Sequence, residues 1–146
     1  MNADLIRARC VEIEESVTRL EEFRGLSLEA FVSDRDALDV ASYRLLIAIE
    51  ASLALCYHVS AKRLRKVPEE YAECFGLLYE AGPISEGLTK RLQQIARFKN
   101  LLVHVYWKID HSRLYTVIRD DLGDLRVFAS PPWRSWCNFH QAGALS

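Results

Sequence analysis

The chain has 146 residues, 50% of them apolar and 27% charged, with a formal net charge of −1. Such a length fits one domain that can bury a core without covalent staples, and the composition is that of a soluble globular protein. A charge so close to zero excludes global attraction to nucleic acid, so any RNA contact must come from a local basic patch or from assembly.

The first residues, Met-Asn-Ala-Asp-Leu-Ile-Arg, have no apolar signal core, which predicts a cytoplasmic protein. Ile6, Cys10, Ile13, Val17 and Leu20 recur at spacings of four and three, predicting an amphipathic helix over residues 3–23 that Gly25 stops. Residues 27–31 read as a short helical turn. Ser33-Asp34-Arg35-Asp36 then has the Ser-x-x-Asp arrangement of a helix start, with Ser33 as the expected cap. The helix it opens should reach Ala61 and be the central one, because residues 45–56 are apolar on nearly every face. The apolar run 45–57 is too short to span a bilayer and contains Glu50, so no membrane association is expected. If buried, Glu50 must be paired or neutral.

Lys62-Arg63-Leu-Arg65-Lys66 gathers cations at the end of that helix. Helix ends often collect cations to complement the dipole, and a phosphate-contacting patch is the other reading. Pro68 is expected at the first position of a third helix running to about Glu80, ended by Gly82-Pro83. Ser85 can cap a fourth, whose core stripe is Leu88, Leu92, Ile95, Phe98, Leu102 and Val105. Asp110 should cap a fifth, with Leu114, Val117, Ile118, Leu122, Leu125 and Phe128 apolar. No convincing strand, repeat or Gly-rich phosphate loop interrupts this pattern. The expected fold is therefore an all-α bundle of four to five helices over residues 1–130, followed by a Pro/Trp-containing tail, 131–146. Cys10, Cys56, Cys74 and Cys137 form no CxxC pair and no zinc spacing, so they are expected to be reduced thiols, with no metal site and no cofactor.

The chemistry concentrates in Arg97-Phe-Lys99-Asn100-Leu-Leu-Val-His104-Val-Tyr106 at the end of the fourth helix. Arg97 and His104 are seven residues apart, about 20° from alignment on a regular helix, with Asn100 one turn below His104. Lys99, five residues before His104, is turned away by about 140°. A histidine with a cation and an amide beside it could move protons and hold phosphate during RNA cleavage. A hydrogen-bonded helix-end histidine and a tyrosine that merely satisfies its hydroxyl are the blander readings. His58, His111 and His140 lack such company and read as structural or surface residues.

Phe98-Lys99-Asn100-Leu-Leu-Val103-His104-Val-Tyr106, followed by Trp107 and Asp110, resembles the signature of the HepT family. Tyr43-Arg-Leu-Leu-Ile-Ala-Ile-Glu50-Ala-Ser-Leu, with His58 further on, is similar to that family's central helix. The resemblance covers roughly residues 4–128 and implies a helical ribonuclease of the HEPN superfamily. It further implies the toxin of a toxin–antitoxin module, neutralised by a minimal nucleotidyltransferase antitoxin that adenylylates the motif tyrosine, here Tyr106. A homodimer whose two motifs share a cleft is implied too, with a larger toxin–antitoxin assembly possible. His104, Tyr106 and Asn100 match the family motif, but Lys99 stands where the family has arginine. Lysine lacks the guanidinium fork for phosphate oxygens. Arg97 could substitute, since the superfamily tolerates up to six intervening residues. The expected activity is metal-independent endoribonuclease cleavage carried by Arg97 or Lys99, Asn100 and His104. The alternative is a catalytically inactive helical subunit that binds a nucleotidyltransferase.

Overall fold

The computed structural model describes residues 2–104 and 110–130, apart from the side chains of Tyr71, Val103 and His104. Every regular element among them is helical: α1 (Ala3–Glu21), α2 (Leu28–Ser33), α3 (Arg35–Lys62), α4 (Tyr71–Ala81), α5 (Glu86–His104), α6 (His111–Asp120) and α7 (Leu122–Phe128). The all-α bundle is as expected, with two short helices, α2 and α7, added to five longer ones. The Pro/Trp tail and Tyr106 lie outside the described residues.

Helix α1 starts where the Asn2 side chain accepts the Leu5 amide at 3.1 Å, and a 3-10 turn, Glu22–Gly25, carries it past its expected end. Its buried stripe, Ile6, Cys10, Ile13, Val17 and Leu20, lies along α3, which forms the centre of the bundle. The cap of α3 is Asp34, whose carboxylate accepts the Ala37 amide at 3.1 Å. Ser33 does not serve: it is the last residue of α2, and its hydroxyl turns back to the Glu29 carbonyl at 2.7 Å. With that hydroxyl engaged, the neighbouring carboxylate takes the free amide.

Two expectations for α3 are corrected. Glu50 and Ala54 are exposed, so one face of the apolar run meets solvent and Glu50 needs no buried partner. The helix has 28 residues and, by length and composition alone, is long and apolar enough to cross a membrane. Its apolar side chains, among them Leu45, Ile49, Leu53, Leu55 and Val59, are instead buried in the bundle.

The third helix begins later than Pro68. Residues 63–70 run without regular structure, with Arg65 at φ 55°, and α4 starts at Tyr71. The Glu73 carboxylate reaches back to the Glu69 amide at 3.1 Å, which fixes the start downstream of the proline. Gly82 ends α4 at φ 101°, a conformation open to glycine at no steric cost. Ser85 accepts the Leu88 amide at 3.1 Å and opens α5, as expected.

Asp110 caps α6 through the amides of Ser112 and Arg113. The single fifth helix is in fact two, broken at Asp121 (φ −111°, ψ −5°). Leu114, Val117, Ile118, Leu122, Leu125 and Phe128 stay buried on both sides of the break, so the apolar rhythm runs through it unchanged. Long-range ties hold α6 and α7 to the start of the chain. Tyr115 donates to the Leu26 carbonyl at 2.7 Å, Arg24 to the Ile118 carbonyl at 3.1 Å, and Arg126 pairs with Glu21.

The expectation of reduced thiols holds for buried Cys10 and fails for one pair. Cys56 on α3 and Cys74 on α4 are joined in a disulfide, with Cα atoms 6.2 Å apart. Helix pairing creates the bond: it brings together two core positions that no sequence motif links. Cys137 lies outside the described residues.

Candidate active site

Helix α5 turns its apolar stripe inward, burying Leu92, Ile95, Phe98 and Leu102, and thereby sets its polar residues on the outer side. Arg97 and Asn100 are exposed on it, and Lys99 is half-buried. The helix is regular through His104, so the backbone positions of Arg97 and His104 fall on one face about two turns apart. The His104 side chain and Tyr106 lie outside what the structure describes.

Two clefts flank this stretch of α5, and Arg97 borders both. The larger, about 570 Å³, opens toward α3 and α4 and is lined by Tyr57, Glu69, Glu70, Ala72, Gln93, Ala96, Arg97 and Asn100. Its α4 wall is fixed to α5 by the Gln93 side chain, which donates to the Ala72 carbonyl at 2.7 Å. The Cys56–Cys74 bond adds a covalent link behind it, one residue from Tyr57 and two from Ala72.

The second cleft, about 350 Å³, lies on the α6 side and is lined by Gln94, Ile95, Arg97, Phe98, Arg113, Thr116, Val117 and Asp121. The Arg113 guanidinium stacks over the Phe98 ring, 5.7 Å from its centroid. Asp121 has its carboxyl pushed above the usual range by burial and by the nearby charges of Asp124 and Asp120. Asp110 is held below that range, chiefly by the hydrogen bond from the Ser112 hydroxyl.

The structure thus brings Arg97 and Asn100 together on one cleft rim and leaves Lys99 out of both linings. The cations Lys62, Arg63, Arg65 and Lys66 lie at and just past the C-terminal end of α3, between Tyr57 and Glu69 along the chain, and are not among the residues lining either cleft. His58 is structural, as its lack of company suggested: its Nε2 accepts the Asn2 amide at 3.1 Å, and burial pushes its pKa down. Sequence reasoning passed over Arg113, Gln94 and Thr116. Their only signal was Arg113 in the first turn after the Asp110 cap, a position common to countless surface arginines.

Residues 13–131 match the family described as ribonuclease HepT-like. The chain belongs to this family. Membership places it among RNA-cleaving hydrolases, and the HepT-like match spans the larger part of the bundle. The mRNA nuclease HepT of Shewanella oneidensis is 22% identical over 125 residues, covering 86% of this chain and 93% of that protein. In solved structures the same fold recurs in a tri-AMPylated HEPN toxin of Shewanella oneidensis in complex with its MNT antitoxin. The two match with a TM-score of 0.79 at 22% identity, over 88% of this chain and 96% of that one. A toxin–antitoxin structure with AMP-PNP matches with a TM-score of 0.78 at 22% identity, over 88% and 97% of the two chains. These likenesses establish a HEPN-like helical bundle.

Proposed function

We propose that this HepT-like protein is the endoribonuclease toxin of a toxin–antitoxin module, acting in the cytoplasm without a metal ion. The observation that carries the reading is Arg97 and Asn100 exposed on the rim of the 570 Å³ cleft, on the helix that ends at His104. The domain that does this is residues 1–130, with 131–146 as an appended tail.

In such a reaction the ribose 2′-oxygen attacks the adjacent phosphorus while the bond to the 5′-oxygen breaks. The products are a 2′,3′-cyclic phosphate and a free 5′-hydroxyl. One group must accept the 2′-hydroxyl proton, another must protonate the departing 5′-oxygen, and a cation must offset the charge that grows on the phosphorane. His104 titrates in the right range for either proton transfer. Arg97 is the cation, and its guanidinium can hold two phosphate oxygens at once. Asn100 orients the imidazole or the phosphate. Lys99 is the secondary candidate for the cation: it takes the arginine's place in the motif but is half-buried off the cleft rim. Because one chain offers one such histidine, acid and base together require a second copy, and the functional unit is a homodimer with a shared groove.

Tyr106, two residues past the histidine, is the site where a nucleotidyltransferase antitoxin attaches adenylate. The added phosphate repels RNA from the groove and switches the toxin off. One observation favours a second reading: lysine at the family's arginine position would fit a decayed site in a protein that only binds its antitoxin partner.

The test is cleavage of an mRNA by protein purified without antitoxin, in EDTA, with intact mass read in parallel. We expect cleavage by the unmodified protein, none by His104→Ala at unchanged helicity, and a greater loss for Arg97→Ala than for Lys99→Ala. Co-expression with the antitoxin should add adenylate mass that Tyr106→Phe prevents. An unmodified wild-type protein that leaves RNA intact would move the assignment to the binding subunit.

A further inference from the structure

The two clefts beside α5 differ in the charged side chains that line them. The larger carries Glu69 and Glu70 against Arg97; the smaller carries Arg97 and Arg113 against Asp121, with Asp120 and Asp124 near that carboxyl. Arg97 borders both, and the smaller adds a second guanidinium with which a polyanion can be held. Asp110 also lies near enough to feel Arg113, but its carboxylate is engaged by the Ser112 hydroxyl and by the amides of Ser112 and Arg113.

We infer that the α5–α6 cleft is a phosphate subsite for the RNA strand, in which Arg113 holds a backbone phosphate adjoining the one bound at Arg97. This rests on the ribonuclease reading above. Both arginines are exposed, and stacking over Phe98 restrains the Arg113 guanidinium at the cleft wall, which lowers the entropy lost on gripping an anion. Thr116 and Gln94 add neutral hydrogen-bonding groups beside it. Arg113 is a positioning residue: it fixes the strand and touches neither reacting oxygen.

The distinguishing property is reach. An oligonucleotide has phosphates for both arginines, whereas a dinucleoside monophosphate has one and cannot occupy both. For a single-stranded RNA oligonucleotide, Arg113→Gln should raise KM about tenfold and leave kcat within about twofold. It should also reduce the slope of log affinity against log salt by close to 0.7. On the dinucleoside monophosphate the variant should match wild type. Arg113→Lys should restore the salt slope, because the charge returns. Gln94→Glu, nearly isosteric and clear of the Phe98 stack, should also raise KM on the oligonucleotide only, which guards against a folding effect of the Arg113 variant. Arg7→Gln on α1, outside both linings, should change nothing.

An equal loss on both substrates, or none on either, would overturn the subsite. Binding of the all-2′-deoxy oligonucleotide separates this failure from that of the activity. If wild type cleaves neither substrate, the ribonuclease reading falls, and the effect of Arg113→Gln on binding still decides the subsite.

Discussion

His58 shows how one side chain couples the chain start to pH. Its Nε2 accepts the Asn2 backbone amide, and only the neutral imidazole has a lone pair to do so. Burial first, and the charge of Lys62 among the lesser causes, push its pKa below the ordinary value of 6.5. The unfolded chain therefore takes up the proton at a higher pH than the folded one. The stabilisation is complete above 6.5 and is lost as pH falls from there through the folded value. We expect melting temperature to fall between about pH 7.5 and pH 5, with faster amide exchange in the first turn of α1. His58→Ala should be less stable at the upper pH and lack this part of the slope. An identical slope in the variant would assign the effect elsewhere.

At the scale of elements, the α3–α4 junction has a covalent tie. The Cys56–Cys74 bond closes an 18-residue separation that includes the irregular segment before α4. Constraining a loop of that length in the unfolded chain contributes about 3 kcal/mol by chain-entropy arguments. In denatured protein prepared without reductant, alkylation should label Cys10 and Cys137 and spare Cys56 and Cys74. Reductant should release both and lower the unfolding midpoint. Labelling of Cys56 and Cys74 before reduction would show the bond absent from the protein as prepared. In a reducing cytoplasm, the location proposed above, reduction of this bond would be limited by access to two sulfurs that the fold buries.

For the whole molecule, the proposal of a shared groove makes activity a property of pairs. If each active unit needs His104 from both copies, random re-pairing with an equal amount of His104→Ala protein leaves about one quarter of the dimers intact. Activity per wild-type chain should then drop by about half, measured after dissociation and reassembly. Undiminished activity per wild-type chain would show that each copy works alone. Sedimentation of the isolated protein gives the independent check, with a dimer expected.

Much of the bundle was legible because helical periodicity is a local property. Spacings of three and four along α1 and α5 indicated which faces would be buried, and Ser85 and Asp110 were readable as short-range caps. The same locality placed Arg97, Asn100 and His104 on one face of α5, while the family motif supplied the chemistry that periodicity cannot. What the sequence left open turned on which of several available partners a group takes, near or far along the chain. The cap moved from Ser33 to Asp34 because a hydroxyl found a carbonyl one turn back. The break at Asp121 left the apolar rhythm intact and so left no trace in it. Only tertiary packing decided that Glu50 faces solvent, that Cys56 meets Cys74, and that Arg113 comes to stand across a cleft from Arg97. The two meetings join residues of different helices, and all three outcomes are set by how helices pack and not by spacing along any one of them.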